Sequence, residues 1–119
     1  MMTSGTAANG FGPKITFRMG GNGYEGYAAG TIGTIRNGAD NNHNLNFGTS
    51  NSGSMTTKMT ITNTGDVGIG TISPASKLEV DGGDIEIDDS DRGLILRSPN
   101  GTRYRVKVDD SGNLTTTAV

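Results

Sequence analysis

Proton-transfer chemistry in this chain of 119 residues has one imidazole to work with, His43. A nucleophilic serine needs such a base, and the base needs an orienting partner. His43 sits in Gly38-Ala39-Asp40-Asn41-Asn42-His43-Asn44, a polar stretch that reads as an exposed loop. Three copies of it on a symmetry axis would suit zinc or iron, but a solvated loop histidine is the plainer reading. Carboxylates are densest at Asp84, Glu86, Asp88, Asp89 and Asp91. On a strand, Asp84, Glu86 and Asp88 share one face and Ile85 and Ile87 the other. Hard oxygens at that spacing, Asp88 and Asp89 among them, suit calcium. The ordered Asp-x-Asp-x-Asp-Gly loop with a distal Glu is missing, however. Arg92, Arg97, Arg103 and Arg105 are near enough in sequence to neutralise these groups, within or between chains. A solvated strand face is therefore the default, and no metal or other cofactor is expected.

Other reactive readings are thinner. Glycoside hydrolysis needs two carboxylates beside a sugar groove, and with three Tyr, three Phe and no Trp the stacking surface is poorly supplied. Gly65, Gly68 and Gly70 would cradle phosphate only between a strand and a long helix with a lysine. No long helical pattern follows. Tyr24 and Tyr27, with Asn41 and Asn42, are the candidate receptor contacts, since Tyr mixed with Gly and Asn is the chemistry of adaptable recognition loops. Ordinary turn chemistry competes with that reading. The expectation is a protein that is not an enzyme.

The elements that must carry these residues are short and β-rich. Gly, Thr, Asn and Ser make up 56 of the 119 residues, and Leu, Ile, Val and Phe only 22. That is lean for a one-chain core, yet the net charge is only −2, so the repulsion that keeps a chain open is missing. Sharing a core between chains reconciles the two. No run of about 18 apolar residues exists, no signal-peptide layout opens the chain, and there is no cysteine. The near-neutral balance implies no nucleic-acid surface, and no membrane insertion is expected.

A period of two marks strands at 15–17, 45–47, 59–61, 67–69, 78–80, 85–87, 94–96 and 104–108. Asn- and Gly-rich turns separate them. Only 73–78 tolerates a helical turn, with Ser73 as N-cap and Pro74 behind it. Residues 58–67 lie over 105–114 at a shift of 47, and 45–51 over 94–100 at a shift of 49. Each copy reads strand, Asn-Gly-type turn, strand, Gly-centred turn, strand. The change of shift is expected in the turn.

From Met59 to Val80 the chain reads MTITNTGDVGIGTISPASKLEV. This resembles a segment of bacteriophage tail-fibre and tailspike-type proteins, of the form (K/R)M-x-I-x-x-x-G-x-VGIGT-x-SP-x-x-KL-x-V. Residues 83–104 are similar to a stretch near the ends of phage fibre proteins, and together the two cover roughly 45–117. The resemblance implies trimeric β-rich modules on the outside of a virion, contacting other virion proteins and a host surface glycan. Many relatives continue into a self-cleaving chaperone domain. No segment here matches it, so a compact tip, head fibre or capsid-decoration protein is also expected, with a carbohydrate-binding module as a further alternative.

The expected fold is all-β. Short antiparallel strands and hairpins form a Gly-rich meander, assembled as an intertwined homotrimeric, β-prism-like fibre module. The expected divisions are a flexible or anchoring segment at 1–20, a module at 21–81 with the VGIGT-SP-KL motif, and a meander at 82–119. The expected shared core is Met59, Ile61, Val67, Ile69, Leu78, Val80, Ile85, Leu94 and Leu96.

Overall fold

The computed structural model describes residues 12–21, 24–38 and 41–119. Its regular elements are all strands, and the chain divides into two units, with the boundary between Asp84 and Ile85.

The first unit holds a six-stranded sheet in sequential order: β1 (Lys14–Gly21), β2 (Tyr24–Arg36), β3 (His43–Asn51), β4 (Ser54–Ile61), β5 (Val67–Ile69) and β6 (Leu78–Val80). Neighbours are antiparallel except β5 and β6, which run parallel. Parallel strands need a crossover, and residues 70–77 supply it. Two bonds close its ends: Val67 N–H donates to the Lys77 carbonyl and Asp81 N–H to the Ile69 carbonyl, both at 2.9 Å. No helical turn forms at 73–78; the chain bends there and is held by side chains. Ala75 N–H donates to Glu79 Oε2 (2.6 Å), and Ser76 Oγ donates to the Leu78 carbonyl (2.8 Å). Part of the segment read as flexible or anchoring, residues 14–20, is paired into the sheet as β1. At thirteen residues, β2 also departs from the expectation of short strands.

The second unit is a three-stranded antiparallel sheet of β7 (Leu94–Arg97), β8 (Arg103–Val108) and β9 (Leu114–Ala118). The strand expected at 85–87 is absent, because Ile85, Glu86 and Ile87 find no ladder partner within the chain.

Three turns are built alike. Thr62 N–H donates to the Asp66 carbonyl (2.8 Å) and Gly65 N–H to the Thr62 carbonyl (2.9 Å). The same two bonds recur between Ser98, Gly101 and Thr102, and between Asp109, Gly112 and Asn113, all at 2.9 Å. Gly65, Gly101 and Gly112 have φ of +81°, +90° and +82°, the left-handed residue that closes a three-residue hairpin. The hairpin at 51–54 differs: Ser52 and Gly53 both take positive φ, 50° and 83°, as a two-residue type I′ turn requires.

The internal repeat is therefore uneven. Ile61 pairs with Val67 and Val108 with Leu114, the same register at a shift of 47. In the preceding hairpin Phe47 pairs with Met59, but Leu96 pairs with Tyr104 and not with Val106. One residue of the two-residue offset comes from the different turn at 98–102 and one from the register shift between Phe47 and Gly48 in β3. Being even, the offset keeps every side chain on its own face.

Two turns carry a predicted acid response. Lys77 Nζ bonds the Asp66 carboxylate and the Thr64 carbonyl (3.0 Å). The Lys77 bond, then that of Thr64 Oγ1, holds Asp66 below the ordinary carboxylate value of 3.8. Asp109 is lowered chiefly by the backbone N–H of Asn113, then by that residue's side-chain amide. A lowered folded value means stability that is complete above the unfolded value and is lost as pH falls through the folded one. Thermal melts should hold steady down to about pH 4 and then decline, more shallowly in Asp66→Asn. Parallel wild-type and variant curves below that pH would refute this.

Candidate self-association surface

Cross-strand partners share a face, so the register of the six-stranded sheet sorts its side chains into rows. Ile15, Ile32, Phe47, Met59, Ile69 and Val80 are successive partners across all six strands. Beside them run Leu45, Ile61, Val67 and Leu78 across β3 to β6. The opposite face carries Gly33, Asn46, Thr60, Gly68 and Glu79 in one row. One face is thus apolar and the other small and polar.

The polar face is the covered one. Thr60 is fully buried, and Asn44 and Asn46 are each 7 % exposed. Asn46 Nδ2 donates to Thr60 Oγ1 (3.1 Å), and Asn44 Oδ1 accepts from Asn63 N–H (3.1 Å). The crossover folds down here, and a Cβ on Gly68 would stand 2.5 Å from the Thr71 carbonyl oxygen. Ile72 and Ser73 face Asn44, Asn46 and Thr57 around a cavity of about 380 Å³. Its lining offers amides, hydroxyls and the Arg36 guanidinium but neither carboxylate nor imidazole, so it can form hydrogen bonds but has no group to shuttle a proton near neutral pH.

The apolar face has no such cover. Among the described residues no large apolar side chain is buried, and Ile15 is 64 %, Leu78 56 % and Ile69 44 % exposed. A soluble monomer rarely leaves a contiguous apolar patch of this kind to water. Covering the open half of one such side chain is worth about 1 kcal/mol. Of the ten in the two rows, Ile15, Ile69 and Leu78 are open to that degree, and the other seven are half-buried. A surface of this composition is suited to association.

Six of the expected core residues, Met59, Ile61, Val67, Ile69, Leu78 and Val80, therefore fall on one face. Leu94 and Leu96 lie on a second apolar face, with Tyr104, Val106, Val108 and Leu114, in the β7–β8–β9 sheet. Ile85 stands exposed and outside any strand. Ile15, Ile32, Leu45 and Phe47 complete the large face although the sequence did not single them out as core. The signal for three of them was the alternation at 15–17 and 45–47; Ile32 was hidden among glycines.

The polar candidates do not converge. His43 begins β3 opposite Arg36 and is exposed, as are Asp88 and Asp89. Among the described residues no three His, Asp or Glu side chains group as metal ligands. Asn41 is exposed and Asn42 half-buried; Tyr24 and Tyr27 lie on β2 with side chains outside the described part. Of the four arginines expected to neutralise the acidic stretch, Arg92 lies with Nε 3.6 Å from Asp89, while Asp91 is approached at 3.8 Å by Lys107, which is not among them. No described helix is long and apolar enough to cross a membrane. Compared with known proteins, the sequence matches no family model and no curated protein.

Proposed function

We propose that this chain is a non-enzymatic structural protein of a bacteriophage virion, a homotrimeric tail-fibre or tip module on the particle exterior that contributes to host attachment. The observation that carries this reading is the apolar face of the six-stranded sheet, whose unbroken row from Ile15 to Val80 holds no fully buried side chain among the described residues. Three chains about an axis each need to supply only a third of a core layer, which suits a chain so lean in large apolar residues. The VGIGT-x-SP-x-x-KL-x-V segment supports the reading from the side of sequence. Its Gly68 lies against the crossover and its Gly70 against Asp81 beyond β6, and its Val67, Ile69, Leu78 and Val80 lie on the apolar face.

Sedimentation equilibrium of the purified chain tests the proposal. A mass three times 12.3 kDa is the expected result, and a stable monomer at micromolar concentration would refute it. Cryo-EM of particles carrying the tagged protein then separates a tail position from decoration of the capsid shell.

A further inference from the structure

We propose that residues 85–88 of one chain add as a strand to the β7–β8–β9 sheet of a neighbouring copy, setting Glu86 and Asp88 against Arg97 and Arg103. The inference rests on the self-association proposed above and names a contact within it.

The receiving surface is unusual. Arg97 is the direct cross-strand partner of Arg103, and Arg105 and Lys107 follow on the same face of β8. Like charges directly opposite each other destabilise a sheet. Lys107 and Arg92 have carboxylates nearby, Asp91 and Asp89, but among the described residues neither Arg97 nor Arg103 has one. The Arg97–Arg103 end of the face lacks an anion.

The segment that fits is equally unsatisfied. Glu86 and Asp88 make no ion pair or side-chain hydrogen bond, and the backbone around them belongs to no ladder. Strand-like chain with unpaired N–H and C=O groups is a template for pairing with an exposed sheet edge. The sequence alternates Ile85, Glu86, Ile87, Asp88. Added to the free edge of β7, it would set both isoleucines beside Leu94 and Leu96, and both carboxylates on the face of Arg97, with Arg103 one strand further in. Ile85, 66 % exposed in the single chain, would gain cover from the same step. In its own chain the segment runs into the turn closed by Arg92 N–H on the Asp89 carbonyl (2.9 Å) and pairs with neither edge of the sheet.

A charge-swapped chain tests this: Glu86→Arg, Asp88→Arg, Arg97→Glu and Arg103→Glu together. It should assemble with itself. When it is unfolded with wild type and refolded, like charges would meet in every mixed contact: carboxylates where a wild-type segment meets a variant sheet, guanidiniums in the reverse. Native mass spectrometry should then find mixed oligomers at least about tenfold below the statistical proportion. Statistical mixing would overturn the inference, since pairing within a chain, or none, gives no such sorting. Hydrogen exchange on assembled wild type adds a readout that needs no variant. The amides of 86–88 should exchange at least about 100-fold more slowly than in an open chain, and unprotected amides would overturn the inference. A wild type that stays monomeric is a different failure, that of the self-association reading itself.

Discussion

Ile69→Asp is expected to abolish self-association. In the isolated chain Ile69 is 44 % exposed, so a carboxylate there reaches water and the single sheet has little reason to unfold. In a trimer sharing the apolar face, three carboxylates would enter one layer. Each buried charge without a partner costs several kcal/mol, and like charges raise the cost further. The sum exceeds the roughly 5–15 kcal/mol that holds a small fold together. Thr62→Asp is the control, because it adds the same charge where the repeat already uses it. Asp109, at the matching position, accepts the Asn113 N–H through Oδ1 (2.9 Å), as Thr62 Oγ1 accepts the Asp66 N–H (2.9 Å). Sedimentation velocity should show Thr62→Asp assembled and Ile69→Asp dispersed. An assembled Ile69→Asp protein of unchanged melting temperature would mean that this face is not the shared core.

What the sequence made legible follows from how local each signal was. The strands at 59–61, 67–69 and 78–80 each announce themselves by two apolar residues flanking a polar or tiny one, and the register then lines them up. The hairpin turns were legible because only glycine fits their left-handed residue comfortably. β2 was not: Gly30, Thr31, Gly33 and Thr34 dilute its alternation, and a strand so poor in apolar mass is specified by its two neighbours more than by itself. β9 was hidden for the same reason, since Thr115, Thr116 and Thr117 show no alternation and β8 fixes their register.

The segment at 85–87 fails in the opposite direction. Its local pattern is that of a good strand, yet a strand exists only where a second strand lies alongside. Sequence pattern reports what a segment is suited to, and the single chain holds no partner for this one. The same logic governs the large face. Ile69 and Leu78 are expected as core residues, yet among the described residues they stand 44 % and 56 % exposed. Both departures are what the proposed contacts between copies would account for.

Gly70→Ala is expected to be far more damaging than one added methyl group usually is. Gly70 ends β5 with φ of +80°, and its N–H donates to the Lys58 carbonyl at 3.0 Å. A Cβ there would stand 2.2 Å from the Asp81 carbonyl oxygen, a backbone atom that cannot rotate away. The left-handed conformation alone costs an alanine about 1 kcal/mol relative to glycine. Relieving the clash means parting β5 from the chain leaving β6, with loss of the Asp81 N–H bond to the Ile69 carbonyl. That opening would also displace Ile69 and Val80 from the apolar row. A total near 3 kcal/mol or more is expected, which is large for one methyl group. Gly65→Ala separates the two causes. Its φ is +81°, but no atom lies within 4 Å of the added carbon, so only the conformational part, about 1 kcal/mol, should appear. Denaturant midpoints of the two variants measure the difference directly. Equal losses would mean that the close approach of residues 70 and 81 does not hold the parallel strand pair together.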